Sequence, residues 1–223
     1  MNTLASEVLR KVAKKGSFDG LTPVQLMLEM MLDPETWRNK PLIRVGDAEL
    51  RRILDATGNY VSFNSVLNDS QGEYKLREEV EHAYGKRPSE RSKFDKEVIN
   101  VDERVNILYK LMTGGFLTIF PIPGDETNKW LSPADAAKSD HPEVAGFSSE
   151  ILVNYFAALG EAKVSGNYEK ASAILKQLKD NQLQHGAAVY PPPIKTRLEI
   201  FYINFNLFSW LAKVYLFAGL VLL

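Results

Sequence analysis

A repeating apolar seam lies in the middle of the chain. Its six apolar residues are spaced alternately four and three positions apart: Phe94, Val98, Val101, Val105, Leu108 and Met112. This spacing places them on one face of a long helix, which Gly114 and Gly115 end. Because the seam covers only about three heptads, it favours a core helix over a free coiled coil.

Three further helices are predicted in the first 56 residues. In the first, over 3–15, Leu4, Val8 and Val12 share one face. Thr22 and Pro23 then supply an N-cap and a first helical residue for a second helix. This second helix is apolar nearly all round, so we expect it to be buried. A third helix over 48–56 follows Asp47 as its N-cap.

Short extended segments and a long loop are interspersed among these helices. Residues 42–45 and 116–123 have a β-like pattern. Residues 124–146 are rich in Pro, Asp, Gly and Ser, which is typical of a surface loop. We expect one helical turn at 133–138 within this loop, which is also the best candidate boundary in the chain.

Two helices joined by a tight turn are predicted after the loop. The first begins with Ser148 or Ser149 as its cap and runs to about Ser165. Gly166 and Asn167 turn the chain, and 168–184 form the second helix, which gives an antiparallel helical hairpin. The three prolines at 191–193 then form a stiff, extended joint.

The last stretch of the chain is far more apolar than the rest. Between Leu207 and Leu223 the only charged residue is Lys213. A helix over this stretch would be about 25 Å long, slightly shorter than the hydrocarbon core of a bilayer at roughly 30 Å. Tyr202, Trp210 and Tyr215 are suited to the membrane interface. We therefore favour a membrane helix over a buried core helix.

These patterns predict a mainly α protein, a helical domain with a helical hairpin, followed by a C-terminal transmembrane helix. The expected organisation is a helical domain over 1–123, a loop over 124–146, the hairpin over 147–186, a proline joint over 187–199 and a membrane helix over 200–223. Because the apolar run reaches the last residue, we expect the chain to be a fragment.

Composition narrows the possible functions. A formal net charge of −1 argues against a dedicated nucleic-acid binder, which needs a basic face. The absence of cysteine excludes disulfides, cysteine-ligated zinc, iron–sulfur clusters and thiol catalysis. The three histidines, His82, His141 and His185, are far apart, so they form a metal site only if the fold brings them together.

Few residue patterns suggest chemistry. Glu78 and His82 are four positions apart on a predicted helix and are compatible with a shared metal, but such a pair is far more often a surface contact. The side chains of the run Asp102-Glu103-Arg104 point in different directions on a helix, so they cannot form one catalytic cluster. They are more typical of structural ion pairs. We expect four charged residues to fix how the long helix docks: Asp95, Lys96, Asp102 and Arg104. We assign no catalytic, cofactor-binding or metal residue.

Several stretches in a fixed order resemble a known family. They are NTLASEVLRKV at 2–12, GLTPVQLMLEMMLDPETW at 20–37, PLIRV at 41–45, FDKEVINVDERVNIL at 94–108, LTIFPIP at 117–123 and LEIFYINFNLFSWLAKVYLFAG at 198–219. They resemble the extracytoplasmic region of the system II cytochrome c biogenesis proteins, in the fused CcsB/CcsA (ResB/ResC-like) form of Bacteroidetes-type bacteria.

The resemblance implies a place outside the bacterial cytoplasmic membrane, in a protein that exports haem b and attaches it to apocytochrome c. The implied partners are the rest of the cytochrome c synthetase, apocytochrome c and membrane lipid, with no nucleic acid. The chain departs from the family because its three tryptophans, Trp37, Trp130 and Trp210, do not cluster into the family's tryptophan-rich loop. None of its histidines lies in a matching motif, so no cofactor is expected in the chain itself.

Two classes of function remain open at this point. The first is a non-catalytic extracytoplasmic scaffold within a cytochrome c synthetase. The alternative is a tail-anchored helical adaptor whose hairpin near Tyr168 binds a partner protein. A soluble enzyme with a buried C-terminal helix is a third reading, but no residue pattern supports a reaction.

Overall fold

The computed structural model describes residues 2–68, 72–205 and 207–221. Helices make up 65% of the structure, which confirms the mainly helical fold class. The helices among these residues are α1 (Asn2–Ala13), α2 (Pro23–Leu32), α3 (Pro34–Arg38), α4 (Ala48–Ile53), α5 (Arg77–Gly85), α6 (Lys93–Met112), α7 (Pro133–Ala136), α8 (Pro142–Ser165), α9 (Glu169–Gly186), α10 (Pro193–Phe205) and α11 (Leu207–Val221).

Two small antiparallel ladders connect the helices. In the first, β1 (Ile43–Arg44) pairs with β2 (Tyr60–Val61), as the extended pattern at 42–45 predicts. In the second, β3 (Phe120–Pro121) pairs with β4 (Trp130–Leu131). The paired part of 116–123 is thus shorter than its sequence suggests. Pro121 and Pro123 have no N–H group to donate, which limits the ladder.

Helix α6 is the predicted long helix, and it forms the centre of the first hydrophobic cluster. Ser92 accepts a hydrogen bond from the Asp95 N–H, and the Asp95 carboxylate accepts one from the Ser92 N–H. This reciprocal capping box fixes where the helix begins. Four members of the predicted seam are buried: Val98, Val101, Val105 and Leu108. They pack against buried residues of α1 and α2 in the same cluster.

Helix α2 differs from its prediction in how deeply it is buried. It begins at the predicted Thr22 cap, where the Thr22 hydroxyl and the Gln25 side chain satisfy each other's backbone N–H groups. Leu26, Met27 and Met30 are buried in the first cluster. Leu28 and Met31 are only half-buried, although Met31 also packs against this cluster. The helix is therefore not fully enclosed, because its second apolar face borders a groove rather than a packed core.

Helices α8 and α9 form the predicted antiparallel hairpin, and Gly166 adopts the left-handed conformation at the turn, with φ 75°. The predicted start of α8 is wrong. The helix begins at Pro142, six residues before Ser148, because Pro142 provides a preorganised first position. Ser148 is a buried mid-helix residue whose hydroxyl donates to the Ala145 carbonyl at 3.1 Å.

Buried apolar residues fall into two clusters along the chain. The first runs from Ala5 to Leu111 and contains the buried residues of α1 to α6. The second runs from Phe120 to Ile174 and joins the β3–β4 ladder to the α8–α9 hairpin. The division into domains at 123, 146, 186 and 199 stays a prediction.

The C-terminal segment forms two helices whose described side chains are largely exposed. In α10 and α11 these include Phe201, Trp210, Tyr215 and Phe217. No helix among the described residues has both the length and the apolar character needed to cross a bilayer. The predicted transmembrane helix over 200–223 is therefore not confirmed, and its residues 206, 222 and 223 lie outside the described part.

Candidate functional site

A large apolar groove separates the two hydrophobic clusters. Its volume is about 700 Å³, within the range of ligand pockets in proteins. One wall comes from α1 and α2, through Leu4, Leu28 and Met31. The other comes from the hairpin, through Leu152 of α8 and Leu178 of α9. Both walls border the buried clusters: Ile151 and Ile174 are buried in the second cluster and also line the groove.

The segment at 116–119 lines the groove between these two walls. The Gln182 amide nitrogen donates to the Ile119 carbonyl oxygen at 2.9 Å, which ties this segment to α9. The predicted strand at 116–123 pairs only in its second half, where the Ile119 N–H donates to the Leu131 carbonyl at 3.0 Å. Residues 116–118 lie before this pairing and line the groove.

The few polar groups in the groove are neutral. They are the Thr118 and Tyr155 hydroxyls, the Gln182 amide and the hydroxyl of Tyr190. Burial raises the pKa of the Tyr155 phenol, so this group stays protonated and uncharged. Among the described residues, no charged side chain and no histidine lines the groove. The groove therefore suits an apolar ligand that needs few hydrogen bonds.

Two polar contacts beside the groove connect the elements that surround it. Lys163 at the end of α8 lies 3.7 Å from the Glu29 carboxylate of α2, so an ion pair links the two walls. Leu4 lines the groove, while the neighbouring Thr3 hydroxyl donates to the Glu199 carboxylate of α10. The first turn of α1 therefore connects the groove to the exposed C-terminal helices.

The fold does not bring the three histidines together. His82 on α5 and His141 before α8 are exposed. His185 on α9 is half-buried and lines a cavity of about 80 Å³ beside Phe120 and Phe147. That cavity is below the size range of a small-molecule site, and the larger groove offers no histidine among the described residues. These residues therefore do not fit a histidine-ligated haem, and we derive no chemistry through one.

Neither the Glu78–His82 pair, to which no metal was assigned, nor the run at 102–104 lines the groove. Glu78 and His82 are both exposed on α5. No group of three or more potential ligands from His, Asp and Glu is found in the described part of the chain. Asp102 accepts a hydrogen bond from the Asn106 amide at 3.1 Å. Burial raises the pKa of the Asp102 carboxyl, with the nearby Glu103 charge adding to it.

The charged residues that were expected to dock α6 do so in part. The Lys86 ammonium donates to both Asp95 carboxylate oxygens at 2.9 Å. These bonds and those from Ser92 lower the pKa of Asp95 to about 2. Arg104 is buried and donates to the Arg44 carbonyl of β1. Lys96, in contrast, is exposed and is not part of this docking.

Sequence reasoning missed one member of this buried network. Glu97 accepts hydrogen bonds from Arg104 Nη1 at 3.1 Å and from the Gly46 N–H at 2.8 Å. It thereby joins α6 to the turn after β1. The seven-residue spacing between Glu97 and Arg104 puts both on one helix face, and this was the available signal.

Comparison with known proteins gives one informative match. No family model matches the chain. The chain is similar to Protein NrfI of Wolinella succinogenes, with 30% identity over 224 residues. The similarity covers the whole of this chain and 24% of NrfI, so the chain spans about a quarter of the length of that curated relative. This match supports the general cytochrome c biogenesis family, but not the specific fused CcsB/CcsA form.

Proposed function

We propose that the chain acts as a non-catalytic scaffold in a membrane protein that assembles c-type cytochromes. The observation that carries this proposal is the similarity to NrfI along the whole chain. In this proposal, haem b and its attachment to apocytochrome c are handled by other parts of a synthetase, in keeping with the poor fit of haem to the histidines here. The helical body lies on the extracytoplasmic side of the bacterial cytoplasmic membrane.

The apolar segment over 200–223, many of whose described side chains are exposed, holds the scaffold at the membrane in this proposal. Tyr215 is 72% exposed and Phe217 is 70% exposed, and Trp210 of the same helix is also exposed. Aromatic residues of this kind are enriched at the interface between lipid and water. An apolar surface of this extent on a soluble domain marks an interaction site. The bilayer is the surface that the resemblance implies.

The tip of the α8–α9 hairpin is the proposed docking surface for the rest of the assembly protein or for apocytochrome c. Val164 is 91% exposed, and Tyr168 across the turn is also exposed. These two side chains flank Gly166, at the turn where α8 ends and α9 begins. Packing of the hairpin does not require them, because the buried contacts come from Ala158, Ala162 and Ala171.

The experiment is to introduce V164D/Y168D into the native gene and measure covalent haem in the c-type cytochromes. We expect a several-fold loss of haem staining in denaturing gels, at unchanged cellular levels of the variant protein. S172D, on an exposed position of α9, is the matched control and should leave staining intact. Normal staining with V164D/Y168D, and also after deletion of 149–184, would contradict the scaffold role.

A further inference from the structure

The groove between the two clusters is lined mainly by apolar side chains from α1, α2, α8 and α9. Its volume is about 700 Å³. A helix with side chains is 10–12 Å across, so this space would hold roughly 6–9 Å of one, or about four to six residues. An extended peptide would bring backbone N–H and C=O groups that the apolar lining cannot satisfy. The dimensions and chemistry thus favour a slender apolar chain without hydrogen-bonding groups.

The lining also indicates where the polar end of such a ligand lies. Within the described residues no cation faces the groove, so a buried carboxylate or phosphate would be left without a partner. Tyr155 is held neutral by its burial. A ligand that leaves its charged headgroup outside and inserts only its apolar chain avoids this cost.

The position of the groove next to the C-terminal helices indicates that the apolar ligand comes from the membrane. Leu4 and Tyr190 line it, and Tyr190 lies three residues before the start of α10. Helix α1 packs against α10, and Thr3 hydrogen-bonds Glu199. One end of the groove therefore lies beside α10, one of the helices that face the membrane in the proposed function.

We propose that this groove binds one acyl chain of a bilayer phospholipid, whose headgroup stays at the membrane surface. The inference rests on the proposed membrane attachment of 200–223. The acyl chain lies between α2 and the α8–α9 hairpin, against Leu28, Leu152 and Leu178. It fills the space that would otherwise leave both helix faces in contact with water, which stabilises the relative position of the two clusters.

The test uses the full chain with vesicles of phosphatidylcholine that carries a photoactivatable diazirine midway along one acyl chain. After irradiation and digestion, mass spectrometry maps the adducts. We expect adducts on α8 and α9 peptides that contain Leu152 or Leu178, together with adducts on α10 and α11. L152W fills the groove and should lower the α8–α9 adducts several-fold. V153W, the exposed neighbour on α8, should not.

The outcomes separate this inference from the proposed function. Adducts confined to α10 and α11 would overturn the groove assignment and leave membrane attachment in place. Adducts in the groove without any on α10 and α11 would support acyl-chain binding and contradict the attachment. L178W fills the groove from α9, the other helix of the hairpin wall, so a folding defect in L152W would not leave the question open. Equal loss with V153W and L152W would overturn the assignment.

Discussion

Asp95 shows how one carboxylate serves both a helix cap and an ion pair. It accepts the Ser92 N–H at 2.7 Å and two hydrogen bonds from Lys86, although its side chain is nearly inaccessible to solvent. All these bonds favour the charged form. They lower the pKa from its ordinary value of 3.8 to about 2. The folded protein therefore holds this proton less tightly than the unfolded chain does.

This shift predicts a pH dependence of stability. Because the folded pKa is below the unfolded one, the contribution of Asp95 is fully present above about pH 4 and is lost as the pH falls through about 2. D95N removes this contribution, so its free energy of unfolding should fall less steeply over that window. Urea unfolding at a series of pH values measures both slopes. Identical slopes for D95N and the parent would contradict this assignment.

Gly186 is needed because Trp130 packs directly against it. A Cβ atom at this position would lie 2.3 Å from Trp130 Cζ2 and 2.8 Å from Cε2. We expect G186A to destabilise the protein by about 1–3 kcal/mol through overpacking. G160A in α8 is the control, because its added Cβ meets open space and favours the helix by about 0.5–1 kcal/mol. Urea midpoints for both variants decide this, and equal effects would argue against the steric explanation.

At the scale of elements, the α8–α9 hairpin depends on small residues at its contact. Ala158 and Ala171 are buried in the second cluster, and Ala162 is buried near the turn. A158L should force the two helices apart and cost about 1–3 kcal/mol. A157L lies on the exposed side of the same helix and should change stability by about 0.5 kcal/mol or less. Thermal or urea unfolding measures both, and similar values for the pair would contradict close packing here.

Local sequence patterns predicted the secondary-structure elements more accurately than they predicted what those elements pack against. The seam of α6 and the turn at Gly166 were predictable because helical periodicity and left-handed glycine are local properties. The start of α8 was not, since Ser148 and Pro142 both offer start signals and only packing selects between them. The face of α2 with Leu28 and Met31 was predicted as core, because the sequence cannot tell a packed partner from a groove.

The candidate site itself depends on distant parts of the chain. Its walls combine Leu4, Leu28, Leu152 and Tyr190, which lie up to 186 positions apart. No spacing rule relates such residues, so sequence reasoning gave no site residue at all. The available hint was an excess of apolar positions, on α2 and at 116–119, beyond what one core requires. Such an excess is typical of a surface that binds a ligand or contacts a membrane.

At the scale of the whole molecule, the exposed apolar side chains are concentrated in the C-terminal helices. The two clusters bury their apolar residues, while α10 and α11 expose Phe201, Tyr215 and Leu216 to solvent. Stacked rings of Phe201 and Phe205, with centroids 5.3 Å apart, make this surface aromatic as well. Burial of such side chains in lipid is favourable by about 1.5–3 kcal/mol for each one fully buried. If α10 and α11 contact a bilayer as proposed, burial of several of these side chains supplies the free energy for attachment.

Membrane attachment makes a direct prediction about partitioning. The chain over 1–195 should remain in the supernatant after sedimentation with phosphatidylcholine vesicles, whereas 1–223 should sediment with them. L216D/F217D in the full chain tests the same surface without a truncation, and it should lower the bound fraction several-fold. T196S, a conservative change at an exposed position of α10, provides the matched control. If 1–195 and 1–223 sedimented equally, the apolar helices would need another partner, and the scaffold would be held at the membrane by some other part of the assembly protein.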